Sequence, residues 1–151
     1  AVMQKNLESL GDIKYSQQEI DFAIEMQKAN GKPTLGIDGK IRPLRETLES
    51  PGGGSTDVGD VSYNVPVVSL AATTAPKGVP WHSWSVVASS GMSIGHKGMM
   101  HAAKALGMTM IDIFKDKKLR EEIKKEFDER IGEYEYDPYL NPGPPPIDYV
   151  D

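Results

Sequence analysis

The chain contains no cysteine in its 151 residues. That excludes a disulfide framework and any thiolate metal site, so a metal held here must rely on His, Asp and Glu, and a reducing, cytoplasmic compartment is the expectation. There is no excess of positive charge either. With 17 Lys and Arg against 22 Asp and Glu the net charge is -5, which argues against a nucleic-acid or anionic-membrane surface, because affinity for both grows with clustered cations. No apolar run reaches membrane-spanning length, since Lys104 and Asp112 interrupt the most hydrophobic stretch. The opening segment, Ala1 to Glu8, lacks the basic end and apolar run of a signal peptide, and reads as the tail of a helix cut from something longer.

What is present suffices for one ordinary soluble domain: 38% hydrophobic and 26% charged residues lie close to the globular average, with an α/β or α+β protein as the default. Ser16-Gln17-Gln18-Glu19 has the capping-box spacing and predicts a helix from about Gln17. Ile20, Ala23, Ile24 and Gln27 continue at helical spacing until Gly31 and Pro33 stop it. Residues 32–51 read as a long connection with at most one turn of helix near Leu44 to Leu48.

Val65 to Thr73 is β-branched and apolar on both faces, which predicts a strand buried on both sides and a sheet covered by helices. Val86 to Ala88 is expected to add a short extended piece. From about Gly95, Met99, Ala102, Leu106, Met110 and Ile113 recur at helical spacing, with a break at Lys115 to Lys118. A further helix then runs to about Gly132, with Leu119, Ile123, Phe127 and Ile131 on one face and Glu121 and Lys125 as an i,i+4 pair. This divides the chain into a body, residues 1–136, and a Pro-rich tail, residues 137–151, which sustains neither helix nor central strand.

Two segments carry the materials of a chemical site. In the first, Gly52-Gly53-Gly54 lets backbone approach a ligand closely, and Ser55-Thr56-Asp57 can cap a short helix whose first amides face a pocket. An ordinary glycine turn with an N-cap explains the same residues. The segment is no Walker loop, since no Gly-Lys-Ser/Thr follows. In the second, His82 stands between Trp81 and Trp84, where a neutral ring nitrogen can meet a divalent metal in a partly water-excluded site. The plain alternative is a half-buried histidine bonded to backbone. His96 and His101, five residues apart, share no helix face and are taken as surface residues. Met99, Met100, Met108 and Met110 read as core filler.

Gly53 to Ser62, Ala75-Pro76, Pro80-Trp81-His82-Ser83-Trp84, Ser93-Ile94-Gly95-His96-Lys97-Gly98-Met99 and Ala102-Ala103-Lys104 together resemble the C-terminal part of the aminoacylase and carboxypeptidase-G family of metal-dependent amidohydrolases. Within it, the p-aminobenzoyl-glutamate hydrolase branch is the most similar. The resemblance runs from about Gln4 to Phe127 in the same order and with similar spacing. It implies the C-terminal portion of a zinc-exopeptidase-like catalytic domain, α/β, with helices packed on a buried sheet, reached as the chain returns from a smaller lid domain.

By the same resemblance, His82 matches a histidine of a two-metal site that takes zinc or manganese. Gly54, Ser55, Thr56, Asp57, Trp81 and Trp84 match the surroundings of the substrate. Other branches carry Gly-Ser-Glu-Asp-Phe at the loop, where this sequence has Thr56. The remaining ligands and the proton-shuttling glutamate of the family fall outside this chain, so no catalytic residue is assigned within it. The implied partners are the N-terminal portion of the same enzyme, a small N-acyl or N-aroyl amino acid such as aminobenzoyl-glutamate, and a second copy of the chain. Nucleic acid and membrane are not among them. The alternative is a non-catalytic binding or complementing subunit with the same fold. A segment of this kind should also expose apolar surface and self-associate.

Overall fold

The computed structural model describes residues 1–44, 56–138 and 143–144. They contain six α-helices: α1 (Val2–Leu10), α2 (Gln17–Ala29), α3 (Val58–Asn64), α4 (Trp84–Ser90), α5 (Ser93–Lys115) and α6 (Lys117–Ile131). The expected turn at Leu44 to Leu48 lies, past Leu44, outside the described residues, as does most of the Pro-rich tail.

The expectation of an α/β fold with helices on a buried sheet is overturned, because the described residues contain no strand. Val65 to Thr73 is irregular backbone, and its valines face solvent, with Val68 at 57% exposure. A strand exists only through its neighbours, and no ladder partner meets this segment among the described residues; Pro66 moreover has no N–H to donate. Val86 to Ala88 is helical, inside α4. The face of α4 that decides this is not the valines but Ser85 and Ser89, one turn apart and fully buried, with Ser89 Oγ donating back to Ser85 O at 2.7 Å.

The chain divides into two compact units. The first is drawn from Ala1–Pro51 and Ser69–Lys117, the second from Gly52–Val68 and Lys118–Asp151. In the first, α5 is the axis against which α1 and α4 pack. Its buried side chains include few large apolar ones: Met3, Ala23, Val79, Ile94 and Ala105, against six buried polar residues. Every buried side-chain polar atom among the described residues has a partner, as burial requires. Asn6 of α1, for example, donates to Thr109 Oγ1 at 3.1 Å and Asp112 Oδ2 at 2.8 Å on α5.

The capping box forms as the spacing predicts: Glu19 N donates to Ser16 Oγ, and Ser16 N to Glu19 Oε2 at 2.6 Å. The same carboxylate reaches across to the first turns of α5. Ser93 Oγ donates to Oε1 at 2.6 Å, and Lys97 Nζ, which also holds Lys14 O, donates to Oε2 at 2.6 Å. Burial alone would raise the Glu19 pKa. The Lys97 ammonium, the Ser93 hydroxyl and the Ser16 amide overcome it and hold the carboxyl down at about 2.

Two glycines of α5 explain how closely this region packs. A Cβ at Gly98 would lie 2.2 Å from Thr73 O, and one at Gly95 would lie 2.1 Å from Ser90 O. Ser93, Gly95, Lys97 and Gly98, four positions of the resembling motif, are therefore spent on packing and on the Glu19 clamp.

In the second unit, α6 has no buried residue and its apolar row of Leu119, Ile123, Phe127 and Ile131 is half-buried. Its solvent face carries Lys118–Glu122, Lys124–Asp128, Lys125–Glu129 and Glu126–Arg130 ion pairs at i,i+4, so Lys125 reaches forward to Glu129. Tyr63 of α3 stacks on Tyr136 at 5.8 Å and tilts against Tyr134 at 5.1 Å. The Tyr136 hydroxyl donates to Asp60 Oδ1 at 2.7 Å, and that carboxylate pushes the phenol up to about 12.

Candidate functional site

The turn that carries Trp81 and His82 is clamped at both sides by the C-terminal end of α2. Gln27 is fully buried: its amide exchanges two 2.9 Å hydrogen bonds with the backbone of Gly36 and donates a further one to Lys77 O. One turn beyond, Asn30 Nδ2 donates to Ser85 Oγ at 2.7 Å. Between those anchors Val79 is buried, and Ser83 Oγ donates to Pro80 O at 2.6 Å. The segment is thus fastened at Lys77, Val79 and Ser85, leaving Pro80 to Trp84 as a projecting turn.

At the tip of that turn His82 has φ +57°, the left-handed region, and it is the one non-glycine residue so placed among the described residues. Such a conformation costs an L-residue about 1–2 kcal/mol, and strain of this kind gathers at functional sites. His82 is exposed, and Trp81 and Trp84 beside it are 72% and 58% exposed. The arrangement offers an imidazole between two indole planes, open to solvent. It is not the half-buried, backbone-bonded histidine of the plain alternative.

The other half of the expected pocket lies elsewhere. Gly54 and Ser55 are outside the described residues. Thr56 and Asp57 are exposed and belong to the second unit, whereas Trp81, His82 and Trp84 belong to the first. Asp57 is the N-cap position of α3 without a side-chain cap bond; Thr56 Oγ1 instead accepts from Val58 N at 3.3 Å. Among the described residues no three His, Asp or Glu side chains gather in a way that could hold a metal ion. His96 is exposed, and His101 Nε2 lies 2.8 Å from Gly11 O, tying α5 to the end of α1. Sequence reasoning missed the Gln27 and Asn30 anchors, whose only local signal was a polar residue on the apolar row of a helix.

No helix among the described residues is long and apolar enough to cross a membrane. No family model matches the chain, and no solved structure matches it significantly. A curated relative does: a p-aminobenzoyl-glutamate hydrolase subunit of Escherichia coli (strain K12) is 31% identical over 148 residues, which cover 82% of this chain. The chain spans 31% of the length of that relative.

Proposed function

Because the chain belongs to the p-aminobenzoyl-glutamate hydrolase family, we propose that it is the C-terminal segment of a metal-dependent amidohydrolase that cleaves N-acyl or N-aroyl amino acids of the aminobenzoyl-glutamate kind. The chain acts together with the N-terminal portion of the same enzyme and is inactive without it. The observation that carries the reading is the projecting turn: a strained, exposed histidine, fastened from behind by Gln27 and Asn30, between two exposed tryptophans.

A metal centre does not fit the described residues of this chain on their own, for His82 has no second and third ligand beside it. His82 is accordingly one ligand of a zinc or manganese site completed by residues outside the chain. A metal so held supplies Lewis acidity toward an amide carbonyl. The contribution of this chain is to present the imidazole in a fixed orientation and to offer the Trp81 and Trp84 ring faces to an aroyl group, which favours flat apolar contact. Thr56 and Asp57, with Gly54 and Ser55 before them, belong to the pocket lining in this reading. The lack of cysteine supports a cytoplasmic setting.

The test is release of p-aminobenzoate from p-aminobenzoyl-glutamate by the chain co-expressed with the portion of the E. coli relative that it does not span, alongside calorimetric zinc titration of the chain alone. Hydrolysis by the pair, lost with His82→Ala, and only weak zinc binding by the chain alone are expected. Hydrolysis indifferent to His82→Ala, or tight binding of a full zinc equivalent by the chain alone, would overturn the proposal.

A further inference from the structure

The packing of α5 is inverted relative to an ordinary amphipathic helix. Its buried residues are small or polar with one exception: Gly95, Gly98, Ala105 and Thr109, plus Ile94. At about 3.6 residues per turn, Met99, Ala103, Leu106 and Met110 align in one row on the far side, with Met100 and Ile111 beside it. All six are exposed, Met99 and Met110 at 58% and 57%. An apolar row of about three turns left in water is the mark of a surface that meets another protein. Unbranched methionines let such a surface adapt to what covers it.

We infer that this face of α5 is the docking surface for the portion of a p-aminobenzoyl-glutamate hydrolase that the chain does not span, an inference that rests on the enzyme-segment reading above. Two observations select that occupant. The matched region is 31% of the relative's length, so the greater part of such an enzyme lies outside the match and supplies a body large enough to cover the face of a 23-residue helix. Second, α5 is coupled to the His82 turn. Ser85 and Ser89 are buried on α4, which packs on α5, and Gly95 abuts Ser90, leaving no room for even a methyl group between them. Whatever covers the Met99–Met110 row therefore also fixes where His82 stands. Docking on α5 is the step that brings this histidine to the residues that must complete its site.

The experiment uses the unmatched portion of the E. coli relative, expressed separately, as the binding probe. The native chain, a Leu106→Glu/Met110→Glu variant and a Lys104→Glu control, exposed on α5 but off the row, are compared by titration. The native chain and the control are expected to bind, and the double variant to lose at least about 30-fold in affinity, the scale of a hot-spot truncation, with its far-ultraviolet circular dichroism unchanged. No complex with the native chain, or equal binding by the double variant, overturns the inference. So does a self-dimer of the chain that the double variant abolishes while binding to the probe survives. A complex that needs the row yet hydrolyses nothing leaves docking standing and refutes the enzyme reading. Hydrolysis undiminished by the double variant refutes docking alone.

Discussion

Replacing Glu19 by Gln tests the clamp on which the first unit turns. The folded carboxyl sits at about 2 against an ordinary 4.5, and at about 1.4 kcal/mol per pKa unit the ceiling on its linked stabilisation is roughly 3 kcal/mol. The Lys97 side chain is 39% exposed, so solvent screening lowers the expected figure to about 1–2 kcal/mol. Gln is nearly isosteric and can still accept from Ser16 N, while the Ser93 hydroxyl can turn to accept from the new amide. What it cannot supply is the charge facing Lys97.

A group whose folded pKa is depressed contributes stability that is fully present above its unfolded pKa and is lost as pH falls through its folded pKa. Here that window runs from about 4.5 down to about 2. Urea unfolding followed by circular dichroism should show Glu19→Gln less stable by about 1–2 kcal/mol at neutral pH, with the gap closing as the pH is lowered toward 2. A double-mutant cycle with Lys97→Met should return most of that energy as coupling. A gap that does not change between neutral pH and the bottom of this window would refute the reasoning, because the loss would then not come from the ionised carboxylate.

Gly98→Ala places a methyl 2.2 Å from Thr73 O, an overpacking that should cost about 1–3 kcal/mol in the same urea assay. His82→Gly removes left-handed strain at φ +57° and should leave stability unchanged or raise it by up to about 1 kcal/mol, while hydrolysis by the reconstituted pair is lost; a clear drop in thermal midpoint would show that the imidazole is a structural group instead. Gln27→Ala leaves the Gly36 N–H, Gly36 O and Lys77 O without their buried partner and should cost about 2–3 kcal/mol, with faster proteolysis of the 77–84 turn as the second readout.

Local interactions made much of this chain legible from its residues alone. The Ser16–Glu19 capping box is a contact within four residues, so α2 begins where the spacing places it, and Asn30 and Gly31 end it just before Pro33. The rows Met99 to Met110 and Leu119 to Ile131 give two long helices by periodicity, though periodicity could not tell that the methionine row of α5 lies in water rather than in a core. The family resemblance was legible too, because it rests on ordered motifs.

What only the tertiary structure decided are the questions of partnership. Val65 to Thr73 has the composition of a buried strand, but a ladder needs a second strand, and none meets it among the described residues. Val86 and Val87 favour extended backbone by branching, yet the two serines beside them bury on α5 and make the segment helical. Glu19 reads as a helix cap until Ser93 and Lys97, more than seventy positions away, turn it into the joint between α2 and α5. His82 stands out by its neighbours in sequence. Its exposure and its left-handed backbone come from Gln27 and Asn30, contacts too distant along the chain for any local pattern to carry.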